Sequence, residues 1–135
     1  MTLESILKIA EQQVKQSYEV LQDKLLGLKD KKIEDMYKTP KDLEDTINNG
    51  EYLSCLEIAG HYAMQGNLDL FNYFIDMSMG SFMQYMQKND GKITKEDEQY
   101  MAAISLLKLN IGMSYNYIRE NNKLEIENFQ YKSAA

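Results

Sequence analysis

Apolar residues return in steps of three and four at the start of the chain: Leu3, Leu7, Ala10, Val14, Tyr18, Leu21, Leu25 and Leu28. That spacing stacks them on one side of a helix about seven turns long, with Thr2 as its cap. From Asp30 to Lys38 charges of both signs surround only Ile33, Met36 and Tyr37, which fits a short helix or a connector. Thr39-Pro40-Lys41-Asp42 combines a capping threonine, a proline at the first helical position and an acid near the positive end of a helix. A helix is predicted to start there and to stop at Asn49-Gly50. Glu51 to Gln65 follows as a third major helix, closed by Gly66. Asn67 caps a longer one to about Gln87, and Asn89-Asp90-Gly91 breaks it. Thr94-Lys95-Glu96-Asp97 reads as an acidic variant of the capping box, opening a last helix that runs to Arg119 or Glu120 and stops at Asn121-Asn122. In the tail from Lys123 to Ala135, Leu124, Ile126, Phe129 and Tyr131 keep neither period, so it is expected to dock on the body or fray.

The chain has only two valines, Val14 and Val20, and few threonines, so strand formers other than isoleucine are scarce. Pattern and propensity together predict an all-α fold, a bundle of about five helices. A single domain is expected over residues 1–122, with residues 123–135 as a C-terminal tail.

Within it, Cys55, Ile58, Ala59, Tyr62, Gly66, Leu68, Ile75 and Ser78 fall on the spacing of a tetratricopeptide repeat. Residues 52–80 resemble one TPR-like helical hairpin of that family, placed in the middle of the bundle. The segment departs from the family pattern at Phe71, where a small residue is preferred, and no proline ends it. No second copy lies one period away. A generic αα-hairpin explains the same residues, since a single repeat has no neighbour on which to stack. The resemblance implies protein binding.

Charge is distributed unevenly. From Tyr52 to Gln87 the only charged residues are Glu57, Asp69 and Asp76, and from Gln99 to Ile118 the only one is Lys108. On a helical projection Leu68, Phe71, Ile75, Met79, Phe82 and Met86 form one face of the longer helix, and Leu70, Phe74, Met77, Ser81 and Tyr85 a second. Asn72, Asp69, Asp76, Gln84 and Gln87 are left as a narrow polar strip. The last helix repeats the arrangement, with Tyr100, Ala103, Ile104, Leu107, Ile111, Ser114 and Ile118 on one face and Ala102, Leu106, Leu109, Met113 and Tyr117 on another. Either the rest of a small domain encloses both faces, or the second ones meet another chain. The second reading makes Leu70, Phe74, Met77, Tyr85, Leu106, Leu109, Met113 and Tyr117 the candidate protein interface. Methionine adapts its shape to a partner, and tyrosine joins an apolar ring to a polar tip. Gly80 and Gly112, inside the same two helices, suggest close backbone approach or a kink.

Chemistry-bearing groups are few. Glu57 and His61 stand four residues apart on one helix side, a spacing that fits a metal or a proton relay, but no second histidine supports it and an exposed ion pair is the simpler expectation. Cys55 projects onto the apolar side of its helix and is expected to be a buried, inert thiol, out of reach of His61. No glycine-rich phosphate loop, nucleophile elbow or zinc-protease motif occurs. These absences predict a protein that is no enzyme and takes no cofactor or metal.

The chain has 135 residues and a net charge of -6, with one cysteine and 44% hydrophobic residues. That suffices for a core without disulfides and fits a reducing compartment. Nothing near the N-terminus reads as a signal peptide, and Lys108, Asn110 and Asn116 interrupt the least charged stretch, so no membrane partner is expected and a cytoplasmic location is. Lys24, Lys29, Lys31, Lys32, Lys38 and Lys41 cluster near the first connection, yet Asp23, Asp30, Glu34, Asp35, Asp42, Glu44 and Asp45 lie among them, and Arg119 is the single arginine. The expected function is therefore a non-catalytic helical interaction module, self-associating as a homo-oligomer or serving as a small subunit of a larger assembly. The alternative is an all-helical subunit of a ribonucleoprotein or viral complex that contacts nucleic acid through the Lys24–Lys41 region.

Overall fold

Helix signals and helix ends coincide through most of the chain. The computed structural model describes the backbone of residues 1–134 and the side chains of residues 1–128. The described residues form helices and no strand: α1 (Leu3–Leu25), α2 (Ile33–Met36), α3 (Pro40–Asn48), α4 (Tyr52–Met64), α5 (Leu68–Lys88), α6 (Lys95–Leu109), α7 (Ile111–Asn121) and α8 (Lys123–Ala134). The protein is an all-α bundle.

Local chemistry explains the boundaries. The Thr2 hydroxyl accepts from the Ser5 amide at 3.1 Å, and Asn67 caps α5 by accepting from the Leu70 amide. Thr39 with Asp42 and Thr94 with Asp97 form complete capping boxes, each hydroxyl taking the amide three residues on and each carboxylate taking the cap amide. After α3 the chain turns at Gly50, whose φ of +77° lies in the left-handed region. A Cβ there would also stand 2.7 Å from the backbone of Tyr85, so both the turn and the seating of α5 call for glycine.

Three boundaries differ from the sequence reading. The first helix ends at Leu25 and gives way to turns through Asp30, although Leu26 and Leu28 remain buried. The predicted last helix is two: it breaks at Asn110, whose side-chain amide donates to the Leu106 carbonyl at 3.1 Å alongside its own backbone N–H at 3.2 Å. Ser114 closes the corner by donating to the Leu107 carbonyl at 3.0 Å. The tail is helical, and its first turn docks: Ile126 packs with Leu26 and Met64, and Lys29 pairs with Glu125 at 3.3 Å. The expectation for Phe129 and Tyr131 falls on side chains outside the described residues.

The core gathers around the α4/α5 hairpin. Tyr52 meets Phe82 at 4.9 Å between ring centroids and Tyr62 stacks on Phe74 at 5.6 Å, which makes the pair antiparallel. α1 crosses α4 at Gly60, and α6 lies antiparallel to α1, with Lys24 over the Tyr100 ring at one end and Asn110 donating to Gln13 at the other. α7 then runs back along α1, setting Tyr117 edge-on to Tyr18 at 5.3 Å. Phe71, Ile75, Ile104, Leu107 and Ile118 fill the centre.

Candidate functional site

The eight residues predicted as an interface do not share one environment. Phe74 is 7% exposed, held between Tyr62 and Tyr73. Leu70, Met77 and Tyr85 are half-buried against the same core. The second face of α5 is shared by α4, whose Tyr62 and Tyr52 meet Phe74 and Tyr85, and by α3, where the Ser81 hydroxyl donates to the Ile47 carbonyl at 3.0 Å. Leu106 and Met113 are half-buried, and Tyr117 packs on Tyr18. Leu109 alone stands open, at 72% exposure. It also lies apart from Tyr85: the Tyr85 hydroxyl binds Asp97, and the helix from Asp97 to Leu109 is about 18 Å long.

What the neutral helices do share is a set of polar straps. Asp97 accepts from the hydroxyls of Tyr52 at 2.5 Å and Tyr85 at 2.8 Å while closing its own capping box with Thr94. One carboxylate thus ties the start of α6 to α4 and α5. Burial works against that charge, but the hydrogen bonds from Tyr52, Tyr85 and Thr94 together outweigh it and hold the Asp97 pKa below the ordinary aspartate value. Burial and the bond to Asp97 push the Tyr52 phenol far up, so it stays a donor. Lys108, the one charge of its neutral stretch, reaches Asn72 at 2.6 Å and Asp76 at 2.9 Å on the polar strip of α5. Arg119 donates to the carbonyls of Ala63 and Met64 at the end of α4 and lies over the Tyr115 ring. The last turn of a helix presents unsatisfied carbonyls and negative charge, which a guanidinium answers.

The chemical candidates sit inside the body. Cys55 is buried, and burial pushes its thiol up to about 11, away from the thiolate that reactivity requires. His61 was expected on the surface, paired with Glu57; it is 4% exposed, packed edge-on to Tyr62 at 5.2 Å. The reason is that α1 crosses α4 and the chain folds over that side. Burial lowers the His61 pKa, opposed by the charge of Glu34, and burial raises that of Glu57, opposed by Lys31 and Lys24. Among the described residues no three His, Cys, Asp or Glu side chains are grouped to hold a metal ion. The close backbone approach inferred at Gly80 and Gly112 is also absent: a Cβ at either would meet nothing within 4 Å, and the kink lies at Asn110, two residues before Gly112.

The uncovered apolar surface is elsewhere. α1 has 23 residues and its antiparallel neighbour α6 has 15. The α6–α7 corner meets α1 at Gln13, and the first buried residue of α1 is Val14. The ten residues from Leu3 to Gln12 therefore project about 15 Å beyond the bundle. The stripe that forms core from Val14 onward continues along this projection as Leu3, Leu7 and Ala10, with Leu3 72% exposed and Ile6, Leu7 and Ile9 also exposed. Leu109 stands at the adjoining corner. Glu4, Lys8, Glu11 and Lys15 turn away from the stripe, and Glu4 pairs with Lys8 at 3.8 Å. The sequence reading put Leu3 and Leu7 on the apolar side of the first helix without deciding what covers them. Ile6, an extra apolar position flanking the stripe in the first turns, was the available signal.

Of the clustered lysines, Lys24 lies over Tyr100 and Lys29 is paired with Glu125, while Lys31, Lys32, Lys38 and Lys41 are exposed among acidic residues. Among the described residues no helix is long and apolar enough to cross a membrane. Comparison of the chain with protein-family models, curated proteins and solved structures gives no match.

Proposed function

We propose that the protein is a non-catalytic helical interaction module, and that its docking surface is the projecting end of α1 together with the α6–α7 corner. One observation carries the reading: the core stripe of α1 runs uncovered for about three turns past the bundle. Helices gain most of their stability from a packed apolar face, and among the described residues nothing covers that face of α1 before Ala10. A contiguous apolar patch on a protein of this charge is the usual mark of an interface. Its lack of charge suits a partner recognised by shape and apolar contact, in keeping with the protein binding that the hairpin resemblance implies.

Gel filtration with light scattering on protein purified at native expression levels tests it. The wild type is expected to elute as an assembly, with itself or with a stoichiometric co-purifying protein. Leu3→Glu with Leu7→Glu is expected to release the bare monomer with an unchanged far-ultraviolet spectrum, because neither side chain is buried. A wild type that is monomeric, with nothing bound in stoichiometric amount, would refute the reading.

A further inference from the structure

α3 lies along α5 and is held close at one end, where the Ser81 hydroxyl donates to the Ile47 carbonyl and Gly50 abuts the Tyr85 backbone. Towards Pro40 a groove of about 350 Å³ opens between the two helices. That volume lies at the small end of ligand sites and is enough for a long side chain. Leu43, Ile47 and the buried Phe74 make the groove largely apolar. On its α5 side stands the ring of Tyr73, 52% exposed and set edge-on to Phe74 at 5.2 Å. On its α3 side stand Glu44 and Asn48, a helical turn apart. Among the described residues no hydrogen bond or ion pair engages the Glu44 carboxylate, the Asn48 amide or the Tyr73 hydroxyl. No basic residue lines the groove, and Lys41, three residues before Glu44, is exposed and unpaired with it.

The geometry points to a site for an arginine side chain of a partner protein, its stem along Leu43 and Ile47 and its guanidinium held by the Tyr73 ring and the Glu44 carboxylate. This site goes beyond the docking surface at the end of α1 and does not depend on it. An aromatic face attracts a cation that comes within about 6 Å of its centroid, and a carboxylate takes the planar guanidinium fork in two parallel hydrogen bonds. The Asn48 carbonyl is left to accept a further N–H, and the apolar walls suit the methylene stem. A neutral occupant would leave Glu44 unanswered and an acidic one would be repelled, so charge selects the occupant. The chain treats its own cations in the same way, with Arg119 over the Tyr115 ring at 5.5 Å and Lys24 over Tyr100 at 5.9 Å. Among the described residues no cation lies over Tyr73. Arg119 is the only arginine and is committed to the end of α4, so the arginine comes from a different protein and not from a second copy. The net charge of -6 favours a basic partner.

Titration of the nitrogen-labelled protein with acetyl-leucyl-arginine amide, followed by NMR, tests the site; acetyl-leucyl-citrulline amide, the uncharged isostere, is the comparison. The arginine probe is expected to shift the amides of Glu44, Asn48, Tyr73 and their neighbours with a Kd on the order of 1 mM, and the citrulline probe to bind about fivefold more weakly. Glu44→Gln and Tyr73→Leu are each expected to weaken the arginine probe about fivefold and to keep the wild-type far-ultraviolet spectrum, since both side chains are exposed. Leu3→Glu with Leu7→Glu is expected to bind the probe as the wild type does, so the groove and the α1 surface stand or fall separately. Equal affinity for the two probes would overturn recognition of the cation and, with it, the site. So would shifts that lie away from the groove, or no response to the arginine probe at concentrations on the order of 10 mM. Should Tyr73→Leu misfold, Glu44→Gln decides alone, and unchanged affinity in that variant overturns the assignment.

Discussion

The crossing of α1 over α4 depends on one missing carbon atom, and adding it is a measurable experiment. A Cβ on Gly60 would stand 1.8 Å from the Leu25 carbonyl oxygen and 2.6 Å from its carbon. An unstrained carbon to oxygen contact needs about 3.3 Å, so the last turn of α1 has to retreat by about 1.5 Å. That turn is anchored by Leu21, Leu25 and Leu28, each almost wholly buried in a close-packed core, and the obstacle is backbone rather than the end of a side chain. Overpacking of this kind costs about 3 kcal/mol, against a gain of about 1 kcal/mol in helix propensity. Gly60→Ala is therefore expected to lose about 2 kcal/mol. Gly80 provides the control, because it also lies inside a helix but meets nothing within 4 Å; Gly80→Ala is expected to gain about 1 kcal/mol. Urea unfolding followed by far-ultraviolet circular dichroism measures both, and at about 4 °C per kcal/mol the two variants should melt on the order of 10 °C apart. A Gly60→Ala protein as stable as the wild type would show that α1 does not approach α4 as described, and would refute the reasoning.

Asp97→Asn removes the charge from a carboxylate that serves a cap and two tyrosines, and is expected to cost about 2 kcal/mol in the same assay; Tyr52→Phe, which removes one donor to that charge, is expected to cost about 1 kcal/mol, and equal stability in both would mean that the strap is ornamental. Acidification should weaken the fold from about pH 6.5 downward, because unfolded His61 takes up a proton there while the buried ring, its pKa lowered, does not. The slope is at most about 1.4 kcal/mol per pH unit, and His61→Gln should flatten it. Glu57, its pKa raised by burial, acts in the opposite sense as the pH falls through its raised value towards 4.5, and below about 3.8 the Asp97 contribution is lost as well. Melting temperatures that do not change between pH 7.5 and 5.5 would remove the assignment to His61.

The sequence by itself determined the helical class, most of the boundaries and the buried stripe of each major helix. These follow from short-range physics: Thr39 with Asp42 and Thr94 with Asp97 satisfy amides within the same turn, and Phe71, Ile75 and Phe82 share a face because of the helical repeat alone. Only the tertiary structure decided which apolar faces are covered. Asn110 and Gly112 were legible as weak helix formers, but the break becomes real because Asn110 finds the Leu106 carbonyl and Gln13, and because α7 gains Tyr18 by turning back. That corner shortens the partner of α1 and leaves Leu3, Ile6, Leu7 and Ile9 in the open, whereas α3 and α4 close over the face of α5 that seemed free. It likewise drew His61 inside and committed Arg119 to the end of α4. Periodicity specifies which side of a helix is apolar; where the neighbouring helix ends, and hence which part of that side stays wet, depends on contacts between residues about a hundred positions apart, such as Gln13 with Asn110 and Tyr18 with Asn122.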